Sequence, residues 1–423
     1  MTSPVASGLQ PTAEVFPNGT RVLATRCRTT PAVTISIGLH AGSLYDPADS
    51  PGLAHCLSRV IDRGTNKRSG DTIAEELDRR GVALRINVTR HSLMLTCDCL
   101  TEDFEAVLAL VADVVRDPTC PEEDVSVRRG EILTALRQDD DNPAVTAVNR
   151  LMPLLYGDGH PYAHAPKGTS ASLARIDRDA LRGFHANRVA PGGLSVVVAG
   201  DLEPLSAVDA VSRSFGDWRH DAQPKPALDT PSRPRTRQRI VVPMIGKAQV
   251  DIVYGFTTVP RSDPSYYAYR LLVNILGQYG MGGRLGRQIR ERQGMAYYAF
   301  CSFEASVIAG PLLVRAGVNA ANVDRAVAAI DEEVARIAGE GVTDAELVDS
   351  KRYLIGSLPR TLETNAGIAT FLQNVQQFEL GLDFDERLPA LLTRVTRDQV
   401  NEAAIQTLSP ERAALVIAGP YAE

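Results

Sequence analysis

At 423 residues, with 44% apolar and 23% charged residues, the chain is too long for one ordinary core and has the make-up of a folded globular protein of two or more domains. A formal charge of -6 argues against a nucleic-acid binder, which needs a basic surface to neutralise phosphates. The start, MTSPVASGLQPTAEVF, lacks the basic residues and apolar run of a signal peptide, and no apolar run reaches membrane-spanning length, so a cytoplasmic protein with no membrane partner is expected.

In chain order, strand signals at Arg21–Thr25 and Val33–His40 lead through a Gly/Asp/Pro turn into a helix within GLAHCLSRVIDRG, Gly52 to Gly64. A second helix, about Asp71 to Arg80, stops at Gly81. Strands follow at about Val82–Thr89 and Ser92–Leu100. Phe104, Val107, Leu108, Val111, Val114 and Val115 then recur at three- and four-residue steps, the period of a helix burying one stripe. Another helix covers about Pro121–Arg137, and a shorter one opens at Asp177, an N-cap candidate, before the strand LSVVVAG.

The first half then returns. VTISIGLHAGSLYDP from Val33 recurs as VDIVYGFTTVPRSDP from Val250, 217 positions later, and LSVVVAGD from Leu194 recurs as AALVIAGP from Ala413. In the second half Val323, Val327, Ile330, Val334 and Ile337 mark a long amphipathic helix. The expected organisation is two homologous domains, 14–215 and 240–423, joined by a proline-bearing linker at 216–239. Each is of α+β class, with helices packed on a mainly antiparallel mixed sheet.

The six cysteines lie mostly inside apolar segments, as buried reduced thiols do. Cys97 and Cys99, in the alternating run SLMLTCDCL, read as one face of a strand, with a C-x-C metal chelate as the alternative.

The order AGSLYDP, SPGLAH, DRGTNKRS, HPYAHAPKGT and SVVVAGDL, spread over both halves, resembles the pitrilysin and mitochondrial-processing-peptidase family of zinc peptidases. That resemblance implies the two-domain α+β fold. Active members carry H-x-x-E-H on the first of these helices: two imidazoles one turn apart hold zinc, the glutamate serves as base on zinc-bound water, and a distant glutamate is the third ligand. Here the aligned string is His55, Cys56, Leu57, Ser58, Arg59, so both base and second ligand are missing. The family's third ligand, eight positions before an Asn-Pro pair, falls on Ala135, and a supporting acid falls on Arg128, with Glu131 about a turn away. One histidine beside the permanent cation Arg59 cannot hold zinc usefully, and His91, Cys56 or Glu131 would have to assemble a new geometry to rescue it. A plain core helix, with Leu53, Leu57, Val60 and Ile61 on its buried face and His55 and Arg59 in ordinary polar contacts, is the reading favoured over a metal site.

The second half keeps a different part of the family pattern. In GQYGMGGRLGRQIRERQGMAYY, Arg290 and Tyr297 stand seven apart with Gly294 between them, matching the R-x-x-x-G-x-x-Y string whose arginine and tyrosine contact the substrate backbone. A guanidinium and a phenol are both donors that can grip a peptide carbonyl. Taken alone, the spacing fits as well an Arg290–Glu291 ion pair and a tyrosine filling a sheet face. The glycines at 277, 280, 282, 283 and 286 lack the G-K-[ST] of a phosphate loop. By resemblance, Gly282 and Gly283 belong to a substrate-recognition loop; an ordinary loop is the alternative.

The resemblance therefore implies a non-catalytic, substrate-contacting subunit of a heterodimeric zinc peptidase, with no cofactor of its own and zinc on a homologous partner. Peptide is the expected substrate, and a homodimer is a further possible assembly. The competing expectations are a structural or assembly subunit of the same fold and, less favoured, an autonomous zinc peptidase.

Overall fold

The computed structural model describes residues 8–224, 228, 231, 234–278 and 282–422. Its strands are β1 (Thr12–Val15), β2 (Arg21–Arg26), β3 (Ala32–Leu39), β4 (Arg85–Val88), β5 (Leu93–Leu100) and β6 (Leu194–Gly200), then β7 (Gln238–Pro243), β8 (Val250–Thr257), β9 (Ala296–Phe303), β10 (Pro311–Val318) and β11 (Ala414–Gly419). They form one sheet in the order β1-β2-β6-β3-β5-β4 and another in the order β7-β11-β8-β10-β9. Shifting β2 and β3 by the 217-residue repeat lands on β7 and β8, and the second order repeats the first without β1. In both sheets one pair is parallel, β2 with β6 and β7 with β11, and the other pairs are antiparallel.

Alternation along the strands makes two faces. On β3, Val33, Ile35, Ile37 and Leu39 are fully buried. The Phe104–Arg116 helix buries the predicted stripe, from Phe104 to Val115. On the other face of the first sheet lies the Asn365–Gln377 helix: Ile368, Ala369 and Leu372 pack on Leu23, Val197 and Ala199, and the Gln373 amide donates to the Ser36 carbonyl at 2.8 Å. In the second sheet the same role falls to the Pro143–Tyr156 helix, whose Ala147, Leu151, Met152 and Leu155 pack with Val253, Leu313 and Val416. The opposite face of that sheet meets the Val323–Glu340 and Arg397–Thr407 helices, through Val323, Val327, Ile330, Val334, Val400 and Ala404.

The compact units are consequently not contiguous in sequence. One comprises the described residues of Met1–Leu136, Ala165–Pro226 and Leu358–Glu386; the other those of Arg137–His164, Ala227–Ser357 and Arg387–Glu423. The ranges 14–215 and 240–423 depart from these units in the segments around the 143–156 and 365–377 helices, because each helix buries its apolar face on the sheet of the other half. Nor does 216–239 behave throughout as a linker: Trp218 is buried beside Phe215, and β7 already begins at Gln238. Its residues 225–227, 229–230 and 232–233 lie outside the described residues. Among the described residues no helix is long and apolar enough to cross a membrane.

Individual elements shift by a few residues. The predicted 71–80 and 121–137 helices are Gly70–Asp78 and Glu122–Asp140, and the 82–89 strand shortens to β4. Asp177 caps its helix, accepting from the Ala180 amide at 2.8 Å. Cys97 and Cys99 lie buried on one face of β5, and burial pushes both thiols up to about 12. Among the described residues neither belongs to a group of three or more His, Cys, Asp or Glu placed to hold a metal.

Candidate functional site: a rebuilt metal position and an exposed tyrosine

In the first unit the motif helix is Leu53–Val60. Its entry explains why several sequence motifs travel together. The Asp46 carboxylate of AGSLYDP accepts from the Gly52 and Ala54 amides, each at 2.7 Å, satisfying groups a helix start leaves unpaired. Burial nevertheless outweighs these bonds and raises the Asp46 carboxyl to about 7. Gly52 has φ +99°, and a Cβ there would stand 2.6 Å from the Lys167 carbonyl oxygen, so SPG and PKGT are two sides of one tight packing. Ser172 adds a 2.6 Å bond to the Pro51 carbonyl.

On this helix His55 is half-buried, and Ser58, buried where the family's base would be, spends its hydroxyl on the His55 carbonyl at 2.7 Å. Arg59 is exposed, with its guanidinium 3.5 Å from Glu131. Arg128, a turn before Glu131 on the Glu122–Asp140 helix, donates to both Glu131 oxygens at 2.6 and 2.8 Å. These bonds, chiefly the one from Arg128, hold the Glu131 carboxyl below its ordinary value. Ala135, at the third-ligand position, is half-buried on the same helix. A carboxylate already shared by two arginines, one imidazole and an alanine do not fit a zinc ion. Cys56 is fully buried in the helix, and burial pushes its thiol up to about 11. His91 is buried on the turn between β4 and β5, and among the described residues no group of three or more His, Cys, Asp or Glu is placed to hold a metal.

The second unit carries Arg290 and Tyr297. Arg290 lies in Gly286–Arg292, a wide π-type turn anchored by Ile289, which is fully buried. Such widened turns recur at functional sites. Gly294, at φ +59°, ends it: its amide donates to the Arg290 carbonyl at 3.1 Å, and Met295 donates to the Ile289 carbonyl at 3.1 Å. The R-x-x-x-G-x-x-Y spacing is thus a helix end, a left-handed glycine and a strand start. Arg290 reaches Glu291 only at 3.4 Å and near the surface, a weak pairing.

Tyr297 does not fill a sheet face. It is 69% exposed at the start of β9, an edge strand that among the described residues pairs only with β10. Gly317 of β10 faces Tyr298 while Val318 faces Ala296, leaving Tyr297 as one residue more than its partner provides. This is a β-bulge, the device that re-aims a side chain at sheet edges.

The glycines have a packing reason. A Cβ on Gly277 would stand 2.2 Å from the Cys301 amide nitrogen, one on Gly282 2.4 Å from the Ala299 carbonyl oxygen, and one on Gly283 2.4 Å from the Ile275 carbonyl oxygen. Gly282 and Gly283 also adopt φ of +109° and +60°. Gly280 lies outside the described residues. Between the glycines and the tyrosine, Arg284 clamps the segment, donating to both Glu346 oxygens at 2.7 Å and to the Gly341 carbonyl at 3.0 Å. Burial alone would raise the Glu346 carboxyl; the Arg284 bonds and those from the Thr343 amide and hydroxyl outweigh it and lower it to about 2. Arg284 carries no motif of its own; the only signal for it in the sequence is an arginine between glycines with acids at 333 and 346 downstream.

Comparison with known proteins places the chain in a family. The profile described as Insulinase (Peptidase family M16) matches residues 21–159, and the one described as Peptidase M16 inactive domain matches residues 175–354. An uncharacterized zinc protease of Mycobacterium leprae is 28% identical over 409 residues, covering 96% of this chain and 91% of that protein. A non-peptidase homolog from Helicobacter pylori is 22% identical, covering 87% and 84%. The crystal structure of a peptidase M16 inactive domain from Pseudomonas fluorescens superposes with a TM-score of 0.89 at 26% identity, covering 97% of this chain and 98% of that one. With two M16 profiles along its length and the same fold as the Pseudomonas fluorescens M16 inactive-domain protein, the chain belongs to the pitrilysin (M16) peptidase family and resembles its inactive-domain members.

Proposed function

We propose that this chain is the non-catalytic, substrate-contacting subunit of a two-chain zinc peptidase. A homologous partner supplies the zinc, the base and the attacking water; this chain supplies Arg290 and Tyr297 as donors to the peptide backbone, on a segment shaped by Gly282 and Gly283. The observation that carries the reading is the exposure of Tyr297 by a bulge on an edge strand, at the spacing the family uses for substrate contact. A tyrosine kept only for packing would be turned inward. The name of the Helicobacter pylori relative, a non-peptidase homolog, is in keeping with a chain that cannot act by itself.

The test is co-expression with a homologue bearing an intact H-x-x-E-H motif, followed by a peptide-cleavage assay of the pair and of each chain alone. This chain alone is expected to bind no stoichiometric zinc and to cleave nothing, and the pair is expected to cleave. Tyr297→Phe and Arg290→Ala should each lower kcat/KM of the pair by about tenfold to a hundredfold, as loss of a transition-state donor does. Wild-type cleavage by both variants would leave the structural or assembly role as the better reading.

A further inference from the structure

The bulge at Tyr297 has a lock. Asp251 of β8 pairs with Gly317 of β10, and Gly317 with Tyr298 of β9, so the three form one row across the second sheet. Tyr298 crosses Gly317 and donates its hydroxyl to the Asp251 carboxylate two strands away. Glycine makes this possible: a Cβ at 317 would stand 2.5 Å from Tyr298 Cε1 and 2.4 Å from the Gln249 amide nitrogen. That amide donates to the other Asp251 oxygen at 3.2 Å. Asp251 is only 3% exposed, and a carboxylate so placed requires such partners.

The row decides the phase of β9. Ala296 lies in the core cluster, whereas Tyr298 lies on the opposite face with Phe300, their rings 5.6 Å apart. In an unbroken strand, residues 296 and 298 share a face. Holding Tyr298 on the Asp251 face while Ala296 stays in the core therefore requires an extra residue between them, and that residue is Tyr297. The core packing of Ala299 and Cys301 holds the later part of β9, while at its start a slide into regular pairing would turn Tyr297 to a different side.

We infer that Asp251, acting through Tyr298 across Gly317, is a positioning residue that fixes the bulge and with it the direction of Tyr297. The functional part of this inference rests on Tyr297 being a substrate contact; the lock itself does not.

Tyr298→Phe keeps the ring over Gly317 and removes only the donor. In the isolated chain, hydrogen exchange of the 296–298 amides is expected to rise about tenfold, the scale of a hydrogen bond to a charged group, while the amides of the Val323–Glu340 helix keep their protection. Asp251→Asn retains an acceptor but not the charge and should give a smaller rise than Tyr298→Phe, whereas Asp251→Leu, of similar size, should reproduce the full rise. These two variants decide the matter if Tyr298→Phe fails to fold. In the co-expressed pair, Tyr298→Phe should lower kcat/KM and add nothing in a Tyr297→Phe background. Unchanged exchange overturns the lock, and additive losses overturn the positioning role. Wild-type cleavage by Tyr297→Phe counts against the substrate-contact reading and the positioning role with it, while exchange, which needs no substrate, still decides the lock.

Discussion

Arg59, Arg128 and Glu131 form an ion cluster at the position to which the family resemblance assigns a metal. The arginines replace the charge of an ion with charge of their own, and Glu131 joins them. Because the group lies at the surface, Glu131→Gln should change the unfolding free energy by less than about 1 kcal/mol, measured by urea titration. Arg284 behaves oppositely. Its side chain is 11% exposed, and Arg284→Ala removes the charged partner of Glu346, leaving it only the Thr343 bonds, and should cost about 2 kcal/mol in the same titration. Glu346 also gives a pH signature. Its folded carboxyl sits at about 2, below its ordinary value of 4.5, so its contribution is fully present above pH 4.5 and is lost as pH falls toward 2. Stability measured across that window should fall less steeply in Glu346→Gln than in wild type. The missing zinc residues were legible from identities alone. The partners of Arg59 were not, since Glu131 lies on a different helix, 72 positions away in sequence.

The segment from Gly277 to Phe303 is built on backbone exceptions rather than on propensity: two π-type turns, left-handed glycines and a bulged edge strand. Each exception is tolerable because neighbouring backbone is close enough to hold it. Gly283→Ala brings a Cβ to 2.4 Å from the Ile275 carbonyl oxygen at a φ of +60°, and should destabilise by roughly 1–3 kcal/mol, read as a lower thermal midpoint. The amphipathic helices were legible because their period is local. The bulge was not, because it is a mismatch between two strands and exists only once β9 and β10 are paired.

Across the chain, the repeat in sequence became a repeat in topology, but the units trade helices. The Pro143–Tyr156 helix packs on the second sheet and the Asn365–Gln377 helix on the first. Cutting at 216–239 therefore removes from each half the helix that covers one face of its sheet. Burial of Leu151, Met152 and Leu155 alone is worth roughly 5–8 kcal/mol, comparable to the net stability of a domain. Fragments 1–215 and 240–423 are expected to be aggregated or molten when expressed separately, and soluble when co-expressed, as judged by gel filtration and circular dichroism. Two well-folded separate fragments would contradict this account.

Local periodicity, internal repetition and residue identity were enough to assign the α+β class, the two related halves and the family, because each depends on residues close in sequence or on what a side chain can chemically do. Which helix covers which sheet, what holds Arg59, and why Tyr297 faces outward depend on pairing between distant segments. Asp251, Gly317 and Tyr298 are unremarkable in sequence and become a row only when three strands lie side by side.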